Sequence, residues 1–314
     1  MTGAATAQGE SAPPAIPPRA AFVVGLARSG TTLLQRLLDG HPALLVMRRE
    51  SHASDWCSAP NPADAFLEWR KRDREFFDAP ADRDALLAHL RARLPGPSPV
   101  PEALRALVEG IVRIRPPAPG CAAWVEKTPK HLWNTPELLG AFGPATRFVH
   151  VVRDPRAVMA SQFERWERGK PLHVRTFAAR WAAADHLART FERAHPEFIA
   201  VRYEDLVRET EAVMRRVAGH LGIEWHPILA EPTDDAAPWG GNSSTKEKVS
   251  GVSAASLDRW AEQLEPAHLD LLERLLAPRM RGRGYEPRSP SADRPDLRRA
   301  WVELVARCRI GREA

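Results

Sequence analysis

The sequence predicts an α/β fold, a three-layer sandwich around a central, mostly parallel sheet, and three observations carry that expectation. Short apolar runs without polar alternation recur along the chain, at Ala21–Leu26, Arg147–Val152 and Phe198–Val201. Unbroken apolar character marks strands buried on both faces, as in parallel sheets. Charged amphipathic stretches of helical period separate these runs, so strand and helix alternate. Finally, the first run opens through a glycine-bracketed loop into an amphipathic segment, FVVGLARSGTTLLQRLL from Phe22 to Leu38. That is the shape of a phosphate-binding strand–loop–helix.

Each element follows in order. Residues 1–19 are small and proline-rich and are read as a disordered lead-in. They carry neither a basic start nor a long apolar stretch, so neither a signal peptide nor a membrane anchor is expected. The first strand is followed by a helix from Thr31 to Leu38, which the Gly40-His41-Pro42 breaker stops. Two or three charged amphipathic helices lie between Pro62 and Ile114, punctuated by Pro80 and Pro95-Gly96-Pro97, and are expected to cover the sheet as a lid. Trp124–Val125 begins a second compact unit, and the strand Arg147–Val152 leads into a helix with Pro155 in its first turn, reaching Glu167. A long helix, Val174–Ala194, precedes the strand Phe198–Val201. Helices near Glu211–Leu221, Ala254–Gln263 and Pro266–Leu276 complete a domain spanning residues 20–288. Residues 289–314 form a proline-bounded tail with a short helix, Leu297–Cys308, and no internal repeat is visible.

Bulk properties set limits on function. A chain of 314 residues is at the upper end of what one hydrophobic core covers. With 45 Lys+Arg against 40 Asp+Glu the net charge is +5, which suits an anionic ligand. No basic stripe interleaved with aromatics and no nucleic-acid-binding motif accompanies it, so no nucleic-acid partner is expected. Cys57, Cys121 and Cys308 are isolated and not at metal-ligand spacing, which points to reduced thiols and a cytoplasmic setting.

Four segments carry chemistry. In Arg28-Ser29-Gly30-Thr31-Thr32 the backbone amides and hydroxyls suit a terminal phosphate or sulfate, and Arg28 adds charge. The nucleoside-triphosphatase loop reads G-x-x-x-x-G-K-[ST], with a lysine for the terminal phosphates and a hydroxyl for magnesium. Here Gly25 and Gly30 keep that spacing, but Thr31 stands in the lysine position, so ATP chemistry is disfavoured and no metal is expected. The bland alternative is a plain strand-to-helix turn. In VVRDPRAVMAS, Arg153 leaves a strand at its carboxyl end, where open α/β sheets bind ligands, and Ser161 follows on the next helix. The pair can grip a second phosphate, or belong to a surface ion-pair cluster around Asp154. In VEKTPKH, Lys127 can neutralise charge on a leaving group or simply be solvated. In VRYEDL, Tyr203 at a strand end can meet a nucleotide or pack in the core.

Together and in this order the segments resemble the sulfotransferases that use 3′-phosphoadenylyl sulfate (PAPS), in their bacterial and tyrosylprotein branch. The resemblance is specific in GLARSGTTLLQRLLDGHP and VVRDPRAVMAS, moderate in VEKTPKH and RYEDL, and runs from about Phe22 to Pro266. It implies that Arg28, Ser29, Gly30, Thr31 and Thr32 hold the 5′-phosphosulfate, that Arg153 and Ser161 bind the 3′-phosphate, that Lys127 sits beside the leaving phosphate and that Tyr203 lies near the nucleotide. A late basic loop closing over the 3′-phosphate is matched most nearly by Lys246-Glu247-Lys248, so Lys248 is included, with Ser243 and Ser244 as neighbours. The glycine of the family's Arg-Lys-Gly triplet is missing there.

Small-molecule sulfotransferases place a histidine two residues after the lysine, where this chain has Pro129. Tyrosylprotein and many bacterial relatives use a glutamate after the H-P of the first helix, which Glu50 matches as acceptor base. An ordinary loop carboxylate is the alternative, with His52 and His131 in reserve. The expected activity is sulfuryl transfer from PAPS to a hydroxyl or related group of a small molecule, glycan or lipid. A small-molecule kinase and a non-catalytic nucleotide-binding protein are the rival readings.

Overall fold

The computed structural model describes residues 15–70, 79–167, 173–235, 237–241, 251–255 and 257–313, with no side chain described at 70, 166–167 or 309–313. Strand β1 (Arg19–Gly25) leads into helix α1 (Thr31–Leu38), strand β2 (Leu44–Val46), and helices α2 (Ala53–Trp56), α3 (Pro62–Arg70), α4 (Pro80–Arg93) and α5 (Val100–Ile114). Strand β3 (Ala123–Lys127), helix α6 (Thr135–Phe142), strand β4 (Arg147–Val152), helix α7 (Pro155–Gln162), helix α8 (Val174–Ala194) and strand β5 (Phe198–Arg202) follow. Helices α9 (Tyr203–Arg208) and α10 (Thr210–Leu221) precede a small hairpin, β6 (Thr233–Asp234) and β7 (Ala237–Pro238). Helices α11 (Trp260–Gln263), α12 (Pro266–Arg281) and α13 (Leu297–Glu313) close the order.

The main sheet has the order β2-β3-β1-β4-β5, and every pairing in it is parallel. Its strands are apolar because both faces are covered. Phe22, Val24, Trp124 and Phe148 face one core, shared with α4, α5, α8 and α12. Ala21, Val23, Val125 and Val149 face the other, shared with α1 and α10. Successive residues of a strand point to opposite faces, so one apolar run serves two layers. The α/β sandwich that the sequence predicts is therefore the fold observed.

Local differences have local causes. β2 is only three residues long and half-buried, too short to show as an apolar run. The helix after β4 is α-helical to Gln162 and then turns π-helical over Phe163–Glu167, a widening common near functional sites. Among the described residues, the stretch from Ala254 is helical only at Trp260–Gln263, and α12 continues past Leu276 to Arg281. The final helix extends beyond Cys308 and lays Val302 and Ala306 into the core that α8 shares.

Candidate active site

Four of the five parallel strands deliver the sequence-marked segments to one end of the sheet. β1 pairs Gly25 with Val151 of β4 and Val23 with Lys127 of β3, and β4 pairs Val152 with Arg202 of β5. The Arg28 loop, Lys127, Arg153 and Tyr203 thus leave adjacent carboxyl ends, where β1 runs to one side and β4 to the other. The Arg28 loop, Arg153 and Tyr203 line a cavity of about 480 Å³, and Glu50, the ion-pair partner of Lys127, lies on its wall.

The first loop is held tightly. A Cβ on Gly25 would lie 2.7 Å from the Val151 carbonyl oxygen, so glycine lets the loop press onto β4. Gly30 has φ +105°, and a Cβ there would lie 2.1 Å from the Tyr203 ring. Arg28 adopts the left-handed region at φ 75°, a conformation that costs a non-glycine residue energy and is frequent at binding sites. The Ser29 backbone N–H donates to the Leu26 carbonyl at 3.0 Å. Its hydroxyl is buried without a hydrogen-bond partner among the described residues.

Arg28, Arg153, Ser161 and Tyr203 form one assembly. Arg28 Nε donates to Ser161 Oγ at 3.0 Å, and Arg153 Nη1 donates to the Arg28 carbonyl at 3.1 Å. The Arg153 guanidinium lies over the Tyr203 ring at 4.3 Å. Burial, and then the neighbouring Arg153 charge, push Arg28 below its ordinary pKa. Two crowded guanidinium groups are a site that an anion relieves. An ion-pair cluster around Asp154 is present one layer behind, but it is buried and not the surface cluster of the alternative reading. Asp154 caps α7 by accepting from Arg156 N at 2.9 Å, and Arg156 pairs with Asp154 and with the buried Glu273. Glu204 accepts from Asp154 N at 3.0 Å and from the Tyr285 hydroxyl at 2.8 Å, and burial pushes its carboxyl upward.

Lys127 and Glu50 meet on the other side. The Lys127 ammonium, 4% exposed, ion-pairs with Glu50 and donates to Thr32 Oγ1 at 3.3 Å. Glu50 Oε2 lies 2.7 Å from His52 Nε2, and His52 Nδ1 lies 3.2 Å from Asp55. Burial favours the neutral Glu50 acid, but the His52 hydrogen bond and the Lys127 charge together outweigh it and hold the carboxyl down at about 2. His52 lines the cavity, whereas His131 does not reach it. His131 is fully buried, with Nδ1 2.9 Å from Glu126 Oε2, so the reserve assignment of His131 as base fails on access.

Lys248, with Lys246, Ser243 and Ser244, lies outside the described residues. Arg180 of α8 and Arg259, the N-cap of α11, also line the cavity, and lone arginines such as these carry no pattern in the sequence. Its cationic lining, Arg28, Lys130, Arg153, Arg180 and Arg259, outweighs Glu50 and Glu164. Trp239 and Trp260 add aromatic walls. The crowded arginines, the aromatic walls and the start of α1 fit a ligand with two anionic groups and a flat ring.

A family model described as the sulfotransferase family matches residues 20–227. The chain is 25% identical over 290 residues to protein-tyrosine sulfotransferase 1 of Danio rerio, covering 88% of this chain and 75% of that protein. It is 25% identical over 293 residues to protein-tyrosine sulfotransferase 2 of Gallus gallus, covering 88% and 72%. Among solved structures, the sulfotransferase domain of the Synechococcus PCC 7002 olefin synthase shares the fold at a TM-score of 0.55 and 20% identity, over 80% of this chain and 90% of that one. The sulfotransferase domain from the curacin biosynthetic pathway does so at 0.54 and 19%, over 87% and 99%. The chain belongs to the sulfotransferase family, whose reaction is sulfuryl transfer from PAPS.

Proposed function

We propose that this member of the sulfotransferase family transfers the sulfuryl group of PAPS to a hydroxyl or related group on a small molecule, glycan or lipid in the cytoplasm, without a metal ion. The observation that carries the reading is the convergence of two cationic grips on one cavity. The Arg28–Thr32 loop at the start of α1 is one, and Arg153, Ser161 and Tyr203 are the other. On this reading the loop binds the phosphosulfate, Arg153 and Ser161 bind the 3′-phosphate, and Tyr203 flanks the nucleotide. PAPS supplies the activated sulfuryl group. Positioning and charge stabilisation do most of the work in such a transfer, by analogy with phosphoryl transfer.

Lys127 stabilises the charge that builds on the departing phosphate. Glu50 accepts the acceptor's proton. Its carboxyl is a weak base while Lys127 and His52 both hold it, at about 2. Any turn of the Lys127 ammonium away from Glu50 raises that basicity, which ties proton removal to charge development. The small-molecule kinase reading lacks a Walker lysine, since Thr31 occupies its place. A purely binding role leaves the Lys127–Glu50 pair without a task.

Calorimetry with adenosine 3′,5′-bisphosphate against AMP and ATP tests the donor site. A screen with labelled PAPS over phenols, aliphatic alcohols, sugars, lipid alcohols and tyrosyl peptides tests the reaction. Tight bisphosphate binding with no labelled product from any acceptor would favour the non-catalytic reading. ATP binding that matches the bisphosphate would favour the kinase.

A further inference from the structure

Strand β3 ends in two charged residues that point to opposite faces. Lys127 shares a face with Val125 and meets Thr32 of α1, while Glu126 shares a face with Trp124. Glu126 is fully buried, and its carboxylate is surrounded by donors. Oε1 accepts from the Ser51 backbone N–H at 3.1 Å, from Ser51 Oγ at 2.7 Å and from the Thr128 hydroxyl. Oε2 faces His131 Nδ1 at 2.9 Å. The Thr128 hydroxyl oxygen in turn accepts from the His52 backbone N–H at 3.1 Å. His52 sits in the left-handed region at φ 48°, so this backbone hydrogen bond holds a conformation the residue does not favour by itself.

The consequence is a matched alternation. The segment Glu50-Ser51-His52 passes the carboxyl end of β3 with Ser51 bound to Glu126, while Glu50 reaches Lys127. Displacing Ser51 displaces the residues on either side of it, which are the carboxylate paired with Lys127 and the imidazole at 2.7 Å from that carboxylate. We propose that Glu126 is a positioning residue of the reaction centre, acting through Ser51 and Thr128 to hold the Glu50–His52 segment against Lys127. It touches no reacting atom. The role is assigned on the sulfotransferase reading, but the geometry it fixes is measurable without turnover.

The test follows the Lys127 ammonium by its proton–nitrogen resonance, assigned with Lys127→Arg, in the full chain. Removing the two hydroxyls together, Ser51→Ala with Thr128→Val, should shift or broaden that resonance while adenosine 3′,5′-bisphosphate binds within about twofold of wild type. Thr128→Ser, which keeps the hydroxyl, should restore it. Glu126→Gln can offer its amide oxygen to Ser51 and Thr128 and turn its nitrogen to His131, so it should keep the resonance, whereas Glu126→Ala should lose it. With an acceptor in hand, kcat should fall by about ten- to a hundredfold at unchanged KM for PAPS, the scale of a small misplacement of reacting groups. An unchanged ammonium resonance in the Ser51/Thr128 double variant overturns the proposal. So does a Glu126→Gln variant as impaired as Glu126→Ala, since charge and not positioning would then be the contribution. Should Glu126→Ala fail to fold by near-ultraviolet circular dichroism, the hydroxyl variants decide. Failure of the wild-type chain to bind the bisphosphate sinks the donor reading and leaves the ammonium readout to judge this one.

Discussion

Replacing Arg153 by alanine separates two contributions of one side chain, the contacts to the first loop that the structure shows and the proposed contact to a 3′-phosphate. The guanidinium donates to the Arg28 carbonyl at 3.1 Å and lies over the Tyr203 ring at 4.3 Å, so it holds the first loop and the aromatic wall in any ligand complex. Losing one such hydrogen bond costs about 0.5–1.5 kcal/mol, or roughly 2- to 12-fold in affinity, for every nucleotide that uses the loop. The proposed contact to a 3′-phosphate is charge-assisted and worth about 1.5–3 kcal/mol, roughly 10- to 150-fold, and only a ligand carrying that phosphate feels it. AMP should therefore weaken several-fold, and adenosine 3′,5′-bisphosphate by a further factor of roughly 10–150. Calorimetric titration of both nucleotides into wild type and Arg153→Ala measures the two terms, and the ratio of ratios isolates the second. Arg153→Lys keeps the charge but not the planar fork and should fall between. If AMP and the bisphosphate lose affinity equally, Arg153 holds only the loop and the 3′-phosphate assignment is wrong.

Lys127→Ala should lower kcat more than it weakens PAPS binding, because its contact strengthens as charge develops; unchanged kcat with raised KM would reduce it to a ground-state ligand. Glu50→Gln removes basicity while keeping shape, so kcat on an aliphatic alcohol should fall about 10²–10⁴-fold with bisphosphate affinity retained. Near-full activity in that variant would move the base assignment to His52. Gly30→Ala puts a Cβ 2.1 Å from the Tyr203 ring at φ +105°, and should destabilise the chain by roughly 1–3 kcal/mol in denaturant titration and weaken the bisphosphate. Although burial favours the neutral acid, the buried Glu126 carboxyl is held down at about 2 by His131, Thr128 and Ser51, below its ordinary 4.5. Such a group binds more protons unfolded than folded, so its stabilisation is whole above about pH 4.5 and drains away towards pH 2. In Glu126→Gln the acid limb of a stability–pH curve should be shallower across that window; a limb as steep as wild type would assign acid unfolding to other carboxylates.

What the sequence made legible was local. The strand–loop–helix from Phe22 to Leu38 announces itself because its glycines, hydroxyls and apolar run are contiguous and each has a backbone reason to be there. Gly25 must let the loop approach Val151, and Gly30 must take a positive φ beneath Tyr203. The strands β1, β4 and β5 were readable for the same reason, as short, largely apolar runs, β1 and β4 buried on both faces and β5 half-buried. β2 was not, since its three half-buried residues owe their extended form to pairing with β3. Helix α9 starts on Tyr203 itself, so the residue expected at a strand end opens the next helix, with Arg202, the last residue of β5, as its N-cap.

The parts that stayed hidden are those whose partners lie far along the chain. Ser51 and Glu126 are separated by 75 positions, and Tyr285 and Glu204 by 81. No periodicity or spacing rule encodes such a pair, because the sheet order that brings them together is itself a tertiary outcome. A signal for Glu126 did exist, in the form of a carboxylate next to the last residue of a strand that opens apolar, AWVEK. An ionised side chain is tolerated in such a place only when donors surround it, so its position alone implied a buried network. Which donors, and that Ser51 among them belongs to the segment carrying Glu50 and His52, followed only from the fold. The same logic runs on the opposite side of the cavity. The Arg153 turn is held from behind by Asp154, Glu204 and Tyr285, and Tyr285 lies beyond the residues that the family model matches. The residues proposed to bind anions are thus written in short motifs, while the carboxylates that hold the Glu50–His52 segment and the Arg153 turn are scattered through the chain, and one of their supports, Tyr285, stands in its late third.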